Sequence, residues 1–246
     1  MRVYYHCYLV NDWKSIVQEQ IELLTDYGLY EACSHITLVA IGEHSDIRSL
    51  RKGLQKYDKI IIYPVSKRDH YRGERVTLSL LYEDCMSTKE NYPVLYFHTK
   101  GITHMNTPTA AWRQLLGYYN LYLWKACVHA LKSADTVGAL YRIEPERRQY
   151  DGNFWWANSH FIKKLADPND MPTDRQMDER WIGSLNLPYK AANLHTTEKD
   201  LYTECEEVSS LKFKGESEKC GLLHIDPLRM DIRVQELNFI RKTLHK

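Results

Sequence analysis

Residues 93–101 read PVLYFHTKG, an apolar run that passes directly into a polar tetrapeptide ending in glycine. The unbroken apolar character of 93–97 predicts a strand buried on both faces, as strands of parallel sheets are. Upstream, residues 2–10 (RVYYHCYLV), 36–41 (ITLVAI, closed by Gly42) and 59–65 (KIIIYPV) have the same character. Helical patterns separate them. Asn11 or Asp12 stands where an N-cap belongs, and Trp13, Ile16, Val17, Gln20, Ile21 and Leu24 recur at helical spacing to about Tyr27 and Gly28. Residues 45–56 form a short charged helix, and 75–86 a helix with Val76, Leu80, Leu81 and Cys85 inward. Downstream, 108–132 reads as one long helix with Pro108 in its first turn, and 136–141 (TVGALY) as a fifth strand. Alternating strands and helices predict an α/β fold with a mainly parallel central sheet flanked by helices.

Beyond residue 141 the pattern is irregular. A polar loop leads to GNFWWAN (152–158), then a short helix over 159–165, a Pro/Asp loop, and a basic amphipathic helix over 227–246. That last helix predicts docking on its own domain, or a peripheral touch on a membrane surface or partner. No repeat, low-complexity tract or linker divides the chain, so 1–246 is expected to form one domain.

A formal net charge of +1 gives no support to nucleic-acid binding through bulk electrostatics. No stretch approaches the roughly 18 apolar residues of a membrane span. The first strand is interrupted by His6 and Cys7 and has no small-residue cleavage site, so it reads as buried sheet, not as a signal peptide. Six cysteines scattered singly predict free thiols and a cytoplasmic protein. Eighteen Tyr and six Trp against five Phe supply rings that stack on sugars or bases, and that serve equally well in cores.

Ligands of open α/β sheets bind outside the carboxyl ends of the strands. There, His98-Thr99-Lys100-Gly101 offers an imidazole, a hydroxyl, an ammonium and a permissive turn, groups suited to a diphosphate and equally to a solvated turn. Trp112-Arg113 reads on spacing as a packing ring and a surface cation. In GNFWWAN, consecutive aromatics put rings on both faces of a strand, in the core or lining a cleft, and Asn153 offers an amide able to read hydroxyls. In RQMDERWIG (175–183), Asp178 and Glu179 point in different directions on a helix, so only one is expected to face a pocket. A carboxylate beside an apolar wall suits a general base, its pKa lifted by desolvation.

Taken in order, VYYHCYLVNDW, YRGE, VLYFHTKG, AWRQLL, DTVGALYR, DGNFWWANSHFIKKL and ERWIG resemble a family of small glycosyltransferase domains of viral and bacterial polysaccharide gene sets. The resemblance covers about residues 2–185; 186–246 form an unmatched extension. It implies a GT-A-like fold and a hexosyl or deoxyhexosyl transfer from a UDP-, GDP- or dTDP-linked donor to a glycan acceptor. By motif it places Asn11, Tyr71, Glu74, His98, Thr99 and Lys100 near the donor. Arg113, Asn153, Trp155 and Trp156 fall near the transferred sugar or acceptor. Glu179 is preferred to Asp178 as catalytic base. An inverting course makes Glu179 that base; a retaining course makes it a stabiliser of positive charge on the sugar.

The sequence departs from the usual GT-A pattern at the metal. Asp-x-Asp occurs nowhere, and Glu-x-Asp only at Glu198-Lys199-Asp200. Mg or Mn is the usual cofactor, yet this absence favours metal independence, with Lys100, His98 and Arg113 opposing the leaving diphosphate. A non-catalytic carbohydrate or nucleotide-binding module is the alternative. A sugar nucleotidyltransferase ranks lower, because VNDWKS after the first strand lacks a glycine-rich loop.

Overall fold

The computed structural model describes residues 1–68, 73–144, 147–172, 174–185 and 188–205, together with the backbone of Arg233–Leu237. The first half is built of β1 (Arg2–Tyr8), α1 (Trp13–Asp26), α2 (Leu29–Ala32), β2 (Ile36–Gly42), α3 (His44–Leu54), β3 (Ile60–Ser66), α4 (Arg75–Met86) and β4 (Pro93–His98). Then come α5 (Thr107–Gly117), α6 (Trp124–Ala130), β5 (Thr136–Gly138), β6 (Tyr141–Glu144), β7 (Arg147–Tyr150), β8 (Trp155–Asn158), α7 (Ser159–Ile162), α8 (Arg175–Arg180), β9 (Tyr189–Asn193) and β10 (Arg233–Leu237). The central sheet has the order β10-β9-β5-β8-β4-β1-β2-β3, and β6 and β7 pair as a separate hairpin. Only β8 and β10 run against the other strands, so the sheet is mostly parallel, with helices on both sides.

The two-residue period of the strands builds two cores, one per face. Tyr5 and Phe97, Cα partners on β1 and β4, stack at 4.3 Å in the core under α1 and α5. Their neighbours Tyr4 and Tyr96 turn to the other face, where Tyr96 stacks on Trp155 at 5.2 Å beside α4. Trp155 and Trp156 therefore enter opposite cores, and neither ring is exposed.

Several elements depart from expectation. The long helix over 108–132 is interrupted by a π-helical turn at Tyr118–Tyr122, where Leu123 N–H bonds back to the Tyr118 carbonyl. Inside this turn the buried Asn120 amide donates to the Leu116 carbonyl, and Trp156 Nε1–H to the carbonyl of Asn120. The strand expected over 136–141 ends at Gly138, because Leu140 adopts a left-handed φ of 63° that turns the chain out into β6. Neither Asn11 nor Asp12 caps α1 through its side chain: Asp12 makes no cap hydrogen bond, and Asn11 has φ 51°. On α4 it is Leu78, not Leu80, that is fully buried with Leu81 and Cys85. β3 is an edge strand with Ile61 and Tyr63 exposed, so it is not covered on both faces, and Pro64 deprives that edge of one donor. Within the expected C-terminal helix, Arg233–Leu237 is instead β10, antiparallel to β9; the rest of 227–246 lies outside the described residues. No helix of the described residues is long and apolar enough to cross a membrane.

Candidate functional site

A cleft of about 800 Å³ opens at the carboxyl ends of β1, β2 and β4. Its floor is formed by His6, Tyr8 and Ile41, one side by residues 98–104 with Glu74, and the other side by Arg75, Arg147, Gln149, Asp178 and Glu179. The parallel register puts His6 and His98 side by side as Cα partners at the ends of β1 and β4. Thr99 extends this pairing: its N–H donates to the His6 carbonyl (3.0 Å), and its hydroxyl accepts from the Tyr8 N–H (3.0 Å). Gly101 then takes φ +81°, a left-handed turn that a side chain would strain. The turn leaves Lys100 with its ammonium 3.7 Å from the centre of the Trp112 ring and 5.6 Å from that of Tyr202. Cation–π attraction holds the ammonium at the cleft edge.

Beneath this edge lies a carboxylate network. Glu74, at the start of α4, accepts from Tyr96 (2.6 Å) and from the Asn153 amide (2.7 Å), both at Oε2. Asn153 is set by φ 55° and accepts from Trp155 Nε1–H (2.8 Å). His98 presents Nδ1 4.0 Å from Glu74 Oε1, and its Nε2 lies 2.9 Å from the Gly152 carbonyl. Burial lowers the His6 pKa to about 4, so this imidazole is neutral near pH 7, with Nδ1 2.8 Å from the Thr77 hydroxyl.

The opposite wall hangs on two devices. Arg75 donates from Nε to Asp178 Oδ1 (3.0 Å), from Nη1 to the Met171 carbonyl (2.9 Å) and from Nη2 to the Pro172 carbonyl (2.5 Å). Gly183, just after α8, lies so close to β7 that a Cβ there would sit 1.8 Å from the Arg148 carbonyl oxygen. Together they fix α8 against α4 and β7. Burial pushes the Asp178 carboxyl up to about 6, against the opposing pull of Arg75. Glu179, half-buried, receives among the described residues only the Gln149 amide, at 3.4 Å. Both carboxylates line the cleft, contrary to the expectation that only one would.

The structure thus brings Glu74, His98, Thr99, Lys100, Asp178 and Glu179 into one cavity. The other expected residues lie elsewhere. Asn11 donates to the Ile102 carbonyl (2.7 Å), bracing the loop after β4 from behind. Arg113 is turned from the cleft into a paired ion contact with Glu19 (3.0 Å) and supports the Lys100 carbonyl. Asn153 sits under Glu74, and Trp155 and Trp156 are core residues, since a central strand buries both of its faces. Tyr71 lies outside the described residues. Arg75, Arg147, Gln149 and Arg180 line the cleft without having been singled out from sequence. Their signal was faint: an arginine opening a helix and an R-x-Q alternation in a polar loop. Among the described residues no three His, Cys, Asp or Glu side chains are grouped as metal ligands. Arg75, Tyr96, Asn153 and Gln149 donate to the cleft carboxylates.

The profile of a family described as a domain of unknown function (DUF8361) matches residues 4–217. The chain belongs to this family. Every described residue lining the cleft of this DUF8361 domain falls within the matched span, which continues well past residue 185. No curated protein matches the domain. Among solved structures it is similar to a crystal structure of 4-diphosphocytidyl-2C-methyl-D-erythritol synthase, at 9% identity and a TM-score of 0.41, over 85% of this chain and 95% of that one.

Proposed function

We propose that the cleft binds a nucleoside diphosphate sugar and transfers the sugar to a hydroxyl of a glycan acceptor, on a GT-A-like scaffold. The observation that carries this reading is that Lys100 and His98, at the exit of β4, share one cavity with Glu179. A leaving diphosphate develops negative charge, and a fixed ammonium beside it stabilises that charge most in the transition state. The acceptor oxygen attacks the anomeric carbon, the bond to the diphosphate oxygen breaks with its electron pair, and the acceptor proton passes to a carboxylate. Glu179 fits that last task better than Asp178. Asp178 is tied by Arg75, whereas among the described residues Glu179 receives a single long amide contact, and it lines the cleft. Lys100 fills the place that a metal holds in other enzymes of this fold, so transfer is expected to persist in a strong chelator. The loop between β1 and α1, Leu9-Val10-Asn11-Asp12, carries no glycine cradle, which counts against nucleotidyl transfer. The reducing cytoplasm suits the free, buried thiols of Cys7, Cys33, Cys85 and Cys127.

The test is release of nucleoside diphosphate from a panel of UDP-, GDP- and dTDP-sugars with glycan acceptors. Glu179→Gln should slow turnover by on the order of a hundredfold, with donor affinity kept. A variant as fast as the wild type removes Glu179 from the role of base.

A further inference from the structure

With Trp155 and Trp156 buried, the far wall of the cleft contains no aromatic platform for a sugar face among the described residues. Among the described lining residues, the rings (His6, Tyr8, His98, His104 and Tyr202) lie on β1, at the β4 exit or in the segment before residue 205. The wall formed by β7 and α8 presents Arg147, Gln149, Gln176 and Arg180 around Glu179.

Both arginines have donor capacity left. Arg147 Nη2 donates to Asp151 Oδ1 (2.8 Å), but Asp151 already pairs with Arg142 and also receives the Gln149 amide (3.0 Å). Two guanidinium groups thus share one carboxylate. Arg180 donates to the neutral amide oxygen of Gln176 (3.2 Å), and no ion pair to a carboxylate forms among the described residues. The Nε–H of each arginine is itself buried and makes no hydrogen bond among those residues, so it is the outer Nη groups that can meet a ligand. A guanidinium carries five donors in a planar fork that matches a carboxylate in pairs. Half-buried cations beside two amides suit a ligand that is a polyol with one anionic substituent.

We infer that this wall selects a sugar bearing a carboxylate, a hexuronate, held by Arg147 and Arg180 with its hydroxyls toward Gln149 and Gln176. The inference rests on the glycosyl-transfer reading for what the sugar does there, but the selection is a matter of binding alone. The acid lies across the cleft from Lys100, so the two poles separate a diphosphate from a sugar carboxylate.

The experiment titrates the full chain with methyl glucuronide, methyl glucoside and, separately, UDP, GDP and dTDP, following binding by NMR and folding by melting temperature. The uronide should bind about tenfold tighter than the neutral glycoside, the gain of one charge-assisted contact, and high salt should shrink this preference. Arg180→Gln, and independently Arg147→Gln with Arg142 left on Asp151, should each erase most of the preference while melting as the wild type does. Equal binding of the two glycosides, or no detectable binding of either, overturns the inference, as does a preference that survives both variants. The nucleotides are the separate arm: failure of UDP, GDP and dTDP alike to bind, with the uronide preference intact, defeats the transferase reading and leaves the acidic-sugar site standing.

Discussion

The two sides of the cleft are held in place by different means. The β4 side is an extension of the sheet: His98 is in register with His6, Thr99 continues the ladder, and Glu74 is locked by Tyr96 and Asn153 beneath them. The α8 side has no ladder to lean on. A six-residue helix, too short to be stable alone, is held by one buried guanidinium and one backbone contact without room for a methyl group. The difference teaches that the cation side is positioned by topology, whereas the carboxylate side is positioned by a few named interactions and is therefore the side that mutation can detach.

Arg75→Met tests that asymmetry most severely. It leaves Asp178 buried without its partner and frees two carbonyls, and should cost about 3–5 kcal/mol of stability at pH 7. The loss should be smaller at pH 5, below the Asp178 pKa of about 6, where the carboxyl is already protonated. Denaturant titrations at the two pH values measure both. Gly183→Ala comes next: a Cβ driven toward the Arg148 carbonyl must push α8 off β7, at roughly 3 kcal/mol, the upper end for an overpacked site. Preserved stability in either variant would break the comparison.

Asp178→Asn sharpens it. A folded-state pKa raised to about 6 from 3.8 means the native protein binds this proton more tightly than the unfolded chain does. The contribution of Asp178 to stability is therefore complete below about pH 4 and declines as pH rises to 6. The amide cannot titrate, so the variant should lose that decline, visible as a flatter stability profile between pH 4 and 6. Trp112→Leu should have the mildest effect on the cleft itself, beside the stability lost with a buried core ring. It removes the ring under Lys100 and weakens diphosphate binding by about 1 kcal/mol, a several-fold rise in Kd measured calorimetrically.

The strands and the cation side were legible in the sequence because they follow local rules. Apolar runs became β1, β2 and β4 almost to the residue, and the exit of a parallel strand told where His98, Thr99 and Lys100 would stand. What failed to show depends on partners distant in the chain. Arg113 is drawn from the cleft by Glu19, and Trp155 and Trp156 are buried by β4 and β5 on either side of β8. Arg75 matters only because Asp178, 103 positions away, is brought beneath it. Periodicity carries no information about such pairs. Nor does it reveal that a six-residue helix would turn both Asp178 and Glu179 toward one cavity.

The central claim is that Lys100 and its neighbours at the β4 exit grip a diphosphate. Thermal melting of the wild type and of Lys100→Met, with UDP, GDP and dTDP each in large excess, measures this directly, since a ligand at a hundred times its Kd adds about 2.7 kcal/mol to the folded state. The account predicts that at least one nucleotide raises the melting temperature of the wild type by several degrees and that Lys100→Met loses most of the rise. Melting curves unmoved by all three nucleotides, or a rise that Lys100→Met retains in full, contradict it.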